Sequence, residues 1–552
     1  METTNNKLIN FYLNVKNNSV IRKISSLFSS VWGIAIMAFL TFFFYALSLE
    51  IVFYYIVGVY VVFVCLFCDD LLPLVCLFLF CYVSPSTNNN PGISETSIFY
   101  GSSLIGMIIV VAVALISIFL RIGFDKNMGY KKLFTKKRAL LWGMLALGVA
   151  YMLSGIGSEH YSEIYLKNLL FAFLQFASIF FLYFVFSATI DWKKVPKNYF
   201  AYLGMAFGLI VVAEIFFAFL FKSAINNGVI FTGPLRTGWG MKNNVGAVTG
   251  FTIPFAFYLA CKEKHTYIYF SIATILMIAT AMTCSRAATL SAGIIFAICF
   301  IFVFFKAKNK KWYRISCGIF VLLSLILGIL FWDKIQKLFS LVPSIINTSG
   351  DGGSMFNDGY RLSLYKFGLK EFLKFPILGQ SFYPVGINIY EFSTVTAFTS
   401  FFPARWHNTI VQLLFSTGIV GMIAYSFHRL QTIKLLFKKR TLEKLFIAAS
   451  ISALLIMSLL DCHFFNLGPT MFYSVFLMFA EFTESDEDEK QEEITNPNDT
   501  ENKTEIEEST NTEKEEKTLT KPKKTQSQNK KRQLKNKFKK ESDWHSLLIF
   551  YW

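Results

Sequence analysis

The chain has 552 residues, of which 54% are hydrophobic, 17% aromatic and only 16% charged, with a mean hydropathy of +0.47. That much apolar surface excludes an ordinary soluble globule. The formal net charge of +17 is carried in short connections and a tail, which points to membrane topology and anionic lipid head groups and excludes a nucleic-acid-binding face.

In chain order, a polar leader (residues 1–28) with Lys7, Lys16, Arg22 and Lys23 precedes the first apolar run and lacks an Ala-x-Ala cleavage site, so it reads as the entry to an uncleaved first span. Apolar stretches then recur at about 29–48, 51–67, 71–84, 100–121, 139–155, 165–187, 199–221, 245–261, 266–284, 287–305, 313–332, 408–428, 443–461 and 466–482. Their lengths suit a hydrocarbon core of about 30 Å. The expected fold is all-α: a polytopic bundle of about fourteen spans, with spans 1–11 in residues 29–332 and spans 12–14 in residues 408–482. Cations collect in alternate connections, for example Arg121, Lys126, Lys131, Lys132, Lys136, Lys137 and Arg138, then Lys306, Lys308, Lys310, Lys311 and Arg314. This places both termini in the cytoplasm.

Two segments break the rhythm. Residues 333–407 form a large loop assigned to the outside, the usual kind of place for chemistry on a membrane scaffold. Residues 483–552 form a tail, acidic then basic, expected to be disordered, cytoplasmic and a candidate docking segment for a cytoplasmic partner. Most of the nine Cys, such as Cys65, Cys76, Cys81 and Cys299, lie in apolar runs where the thiol behaves as a small hydrophobe. Neither a disulfide framework nor a metal site is expected, and no cofactor.

Ionisable groups at outward span ends are the informative anomalies. Arg286 sits in the tight turn Thr283-Cys284-Ser285-Arg286, Arg361 opens an amphipathic run in the large loop, and Arg236 precedes the eighth span. Guanidinium matches phosphate oxygens, so converging arginines suggest a phosphate or pyrophosphate ligand; the alternative at each site is a snorkelling anchor, which the tight turn at Arg286 disfavours. His407 stands where the large loop meets the twelfth span, and an imidazole there can take a proton from an attacking hydroxyl, although a lone histidine is more often an interfacial residue with a satisfied ring. Asp461-Cys462-His463 carries the same ambiguity.

The series Arg236-Thr237-Gly238, Lys242-Asn243-Asn244-Val245-Gly246, Ser285-Arg286-Ala287, Gly359-Tyr360-Arg361, Phe375-Pro376-Ile377-Leu378-Gly379, His407-Asn408 and Gly418-Ile419-Val420-Gly421 resembles the O-antigen ligase and polymerase superfamily. The resemblance covers roughly residues 233–425; the N-terminal spans enter it only as a span count, and the tail does not enter it. It implies a metal-independent membrane glycosyltransferase of the bacterial cytoplasmic membrane. The donor would be an undecaprenyl-pyrophosphate-linked glycan and the acceptor a saccharide or lipid-linked saccharide. Arg286 and Arg361 would hold the pyrophosphate, Arg236 would assist, and His407 would activate the acceptor. The rival reading is a transporter or flippase for a lipid-linked or anionic solute, which should show internal repeats and mid-span ionisable groups. No repeat is evident, and Glu214 is the clearest mid-span acid.

Overall fold

The computed structural model describes chiefly residues 14–47, 49–83, 101–124, 137–159, 161–217, 236–237, 240–283, 285–330, 358–383, 406–465 and 467–482. The 483–552 tail and most of the 333–407 loop lie outside the described residues.

Backbone polar groups must be satisfied internally in hydrocarbon, and the apolar runs accordingly form helices. These are α1 (Ser19–Phe28), α2 (Val31–Ala46), α3 (Glu50–Phe67), α4 (Leu72–Val83), α5 (Gly101–Phe124), α6 (Leu141–Met152), α7 (Tyr161–Phe176), α8 (Leu182–Thr189), α9 (Tyr199–Phe217), α10 (Lys242–Lys262), α11 (Thr266–Met282), α12 (Arg286–Lys306), α13 (Lys310–Leu330), α14 (Asp358–Phe372), α15 (Thr409–Lys438), α16 (Leu442–Ser458) and α17 (Leu467–Phe482). A π turn, Ala177–Phe181, joins α7 to α8, and its Ile179 carbonyl accepts the Ser474 hydroxyl at 2.6 Å. The all-helical expectation holds, apart from a two-residue ribbon of β1 (Arg236–Thr237) and β2 (Gly240–Met241).

Among the described residues, six helices are long and apolar enough to cross a membrane: Tyr165–Thr189, Tyr199–Phe217, Asn243–Lys262, Ala287–Lys306, Lys310–Leu330 and Thr409–Lys438. A seventh follows if the pair Ser19–Phe28 and Val31–Ala46, bent by 75°, is one span. The chain is thus a multi-pass helical protein, and the count of fourteen is not reached by this measure. Several expected spans end early: Leu141–Met152 has 12 residues, about 18 Å at 1.5 Å per residue.

The core is organised around α10, which packs against α9, α11, α12 and α16. Aromatic rings fill the space between α9, α10 and α17: Phe207 meets Phe472 at 3.9 Å and Phe255 meets Phe476 at 4.4 Å between centroids. Polar contacts pin α10 to α16 and the turn after it at both ends. Asn243 reaches Asp461 at 2.9 Å. At the other end Tyr258 Oη and Lys262 Nζ reach Glu443 at 2.8 Å and 3.0 Å. The two ends are roughly 30 Å apart along the helix, so these pairs lie toward opposite faces of a bilayer.

Two motifs distant in sequence meet beside α15. Gly418 has φ 65 and ψ −159, breaking the helix, and a Cβ there would collide with the Ile377 carbonyl. The break frees two amides for the 376–379 segment: Ile419 N–H donates to Pro376 O at 2.8 Å and Val420 N–H to Ile377 O at 3.2 Å. Gln380 N–H then donates to Phe415 O at 2.7 Å, which fixes the segment after α14 against α15.

Candidate active site

His407 stands immediately before α15 in a strained conformation, with φ 51. A non-glycine residue in the left-handed region costs about 1–3 kcal/mol and persists only where its surroundings impose it. Here they do. Asn408 caps α15 by accepting from Ile410 N at 2.8 Å and Val411 N at 3.1 Å, and its amide donates to Leu459 O at 2.8 Å. The Tyr365 hydroxyl of α14 donates to the His407 carbonyl at 2.8 Å. Trp406 is fully buried against Phe415, 4.4 Å between ring centroids, and its backbone N–H donates to Gln412 Oε1 at 3.1 Å.

The imidazole Nδ1 lies 3.1 Å from Asp461 Oδ1; the histidine side chain is 31% exposed and the aspartate 8%. A buried carboxylate therefore backs an imidazole that reaches solvent. Oδ1 also accepts the Cys462 N–H at 2.7 Å, and Oδ2 accepts the Asn243 amide at 2.9 Å. Burial alone would push the Asp461 pKa up. The imidazole hydrogen bond, the charges of His463 and His407 and the Cys462 amide outweigh it and hold the carboxyl well below the usual carboxylate range. An ionised carboxylate only accepts, so Nδ1 carries the hydrogen and Nε2 of the neutral ring presents its lone pair. Nothing among the described residues engages Nε2.

The network continues beyond Asp461. Asn243 Oδ1 accepts the Ser285 hydroxyl at 2.9 Å, and Ser285 is the N-cap of α12, taking the Ala288 N–H at 3.5 Å.

The side chains of Arg236, Arg286 and Arg361 lie outside the described residues; their backbones do not. Arg286 opens α12, directly after Ser285. Arg361 stands in the first turns of α14, one turn before Tyr365. Arg236 pairs in the ribbon with Met241, two residues before Asn243. All three backbone segments adjoin the cluster that holds His407.

The sequence reading assigns no role to Asn243 or Tyr365, and leaves Asp461 as one member of an ambiguous Asp-Cys-His turn. Asp461 comes from a turn 54 positions after His407, and Asn243 from a helix end 218 positions before Asp461. The available signal is an Asp beside a His at a span end, together with the place of Asn243 inside the Lys242–Gly246 motif. His463 is buried next to Asp461. Among the described residues no group of three or more His, Cys, Asp or Glu could hold a metal ion. Cys65 and Cys68, three residues apart, are both buried and free.

Residues 270–426 match the family model described as O-antigen ligase. The chain is also similar to an O-antigen ligase of Escherichia coli (strain K12), 24% identical over 211 residues. That alignment covers 38% of this chain and 49% of the relative, so the chain spans about half the length of the curated relative it matches. Arg286, Arg361 and His407 fall inside the family match; Arg236, Asn243 and Asp461 fall outside it.

Proposed function

We propose, from the match of residues 270–426 to the family model described as O-antigen ligase, that the chain is a membrane glycosyltransferase that moves a glycan from undecaprenyl pyrophosphate to an acceptor sugar. The reaction takes place on the outer face of the bacterial cytoplasmic membrane, with both termini inside, and is either polymerisation or ligation. The observation that carries the reading is the His407–Asp461 pair, with Nε2 open and the backbones of Arg286 and Arg361 adjoining it.

In the proposed step the acceptor oxygen bonds to the anomeric carbon while the bond from that carbon to the pyrophosphate oxygen breaks. The hydroxyl proton passes to His407 Nε2, and Asp461 stabilises the imidazolium that forms. The departing pyrophosphate takes the bonding electron pair. Arg286 and Arg361, each near the start of a helix whose free amides favour anions, stabilise that charge without a metal ion, and Arg236 adds a third cation. The transporter alternative gains no support from the family match. Nothing supports a cytoplasmic partner for the tail.

The test is transfer by the purified protein in liposomes, using lipid-linked glycan extracted from the producing strain. Elongated or transferred glycan should form with release of undecaprenyl pyrophosphate, and Arg286→Ala and Arg361→Ala should each slow it about a hundredfold. Glycan-lipid crossing the liposome with its pyrophosphate bond intact, and no transfer, would contradict the proposal.

A further inference from the structure

Asn243 occupies a place that neither the base nor the donor-binding role explains. Its amide has only one workable orientation: Asp461 Oδ2 accepts, so the NH₂ must face it, and the carbonyl must take the Ser285 hydroxyl, each at 2.9 Å. Ser285 then uses a lone pair to cap α12 through Ala288 N–H. The links from Ala288 N–H through Ser285 and Asn243 all run one way to Asp461 Oδ2, and the imidazole Nδ1–H donates to the same carboxylate from the other side, at Oδ1. The path is stiff, because Gly246, one turn along from Asn243, packs so tightly on α12 and the end of α11 that a Cβ would sit 2.6 Å from Ala288 Cβ and 2.9 Å from Thr283 Oγ1.

We infer that Asn243 is a positioning residue that couples occupancy of the Arg286 helix end to the orientation of the His407–Asp461 pair. This rests on the proposed function. A donor anion seated at the start of α12 draws on the same turn that Ser285 caps, and a shift of that turn moves the acceptor of the Ser285 hydroxyl and with it the second oxygen of Asp461. The base is thereby held in place when the donor is bound. An amide is suited to this link because it donates at one end and accepts at the other; a carboxylate at 243 would set two acids against each other, which then share a proton. The titratable groups around that pair are His407, Cys462 and His463, with Lys242, Arg236 and Arg286 on the adjoining backbone.

The experiment compares single-turnover transfer by wild type, Asn243→Ala, Asn243→Asp, Ser285→Ala, Ser285→Thr and His407→Ala in liposomes from pH 5.5 to 9. The donor is the extracted lipid-linked glycan. Asn243→Ala should slow transfer about ten- to a hundredfold with donor KM within twofold, since it misplaces the base and leaves the donor contacts alone. Asn243→Asp should approach wild type at the acid end, where the protonated acid donates to Asp461 as the amide did, and lose ground as pH rises and the shared proton leaves. Ser285→Ala should lose rate and Ser285→Thr should recover it. A wild-type rate for Asn243→Ala, or an Asn243→Asp deficit independent of pH, overturns the coupling. If His407→Ala is inactive while Asn243→Ala is normal, only the coupling fails; if His407→Ala transfers normally, the proposed function fails first.

Discussion

One histidine stands just before α15 and another inside it, and the two differ in exposure and in partners. His407, before the first turn, is partly exposed, strained at φ 51 and backed by a buried carboxylate. His428, 19 residues after Thr409 and beyond the break at Gly418, is fully buried. Its Nε2 lies 2.9 Å from Tyr473 Oη, which also receives Arg429 Nη1 at 2.7 Å and sits 3.1 Å from Thr432 Oγ1. The Arg429 guanidinium lies 4.5 Å from the Tyr425 and Phe464 ring centroids. One imidazole can exchange a proton with a ligand; the other is a strut inside the bundle. On the proposed function, the same residue type is put to catalysis at one position and to packing at the other, according to its partners and exposure.

The comparison can be broken by substitution. The largest effect is expected for His407→Ala, which removes the proposed base and should lower transfer by at least about a thousandfold at normal expression, read from product formed per molecule of purified protein. Asp461→Asn keeps the shape but weakens the imidazolium's partner and should cost about 10²–10⁴ in rate, measured under donor saturation. Gly418→Ala forces a Cβ toward the Ile377 carbonyl. It should destabilise the protein by about 1–3 kcal/mol in detergent melts and slow transfer by a smaller factor through the shifted 376–379 segment. His428→Ala should lower thermal stability by about 1–3 kcal/mol through the lost Tyr473 bond and the space it leaves. The folded fraction should transfer within about threefold of wild type.

The pH dependence sharpens the contrast further. Because the Asp461 pKa is depressed in the folded protein, the stability it contributes is present above the unfolded carboxylate value of about 3.9 and is lost as pH falls through the lower folded value. Thermal melts of wild type and Asp461→Asn should therefore differ most above about pH 4 and converge on the acid side.

Much of the fold is legible in the amino-acid sequence itself. Apolar runs dictate the helical class because lipid leaves the backbone no other partner, and the run at 466–482 matches Leu467–Phe482 almost to the residue. Elsewhere the pattern stops short. The run ending near 428 continues as helix to Lys438, since Arg429, Lys434 and Lys438 interrupt hydropathy without interrupting hydrogen bonding. His407 stands out from its place at a loop-to-span junction, whereas the roles of Asp461 and Asn243 do not. Those roles depend on which helix ends meet, and hydropathy records the length of each span but not its neighbours. The pairing of Pro376 and Ile377 with the break at Gly418 is hidden for the same reason: the motifs are visible in the chain, their contact is not.

A double-mutant cycle on the imidazole and its carboxylate tests the central claim most directly. Transfer rates would be measured for wild type, His407→Ala, Asp461→Asn and the double variant under saturating donor. If the two residues act as one unit, the double variant should be no slower than His407→Ala alone, because Asp461 works only through the ring. Effects that multiply, with the double variant slower by the full product of the two single losses, would show that the residues act separately and would contradict the account.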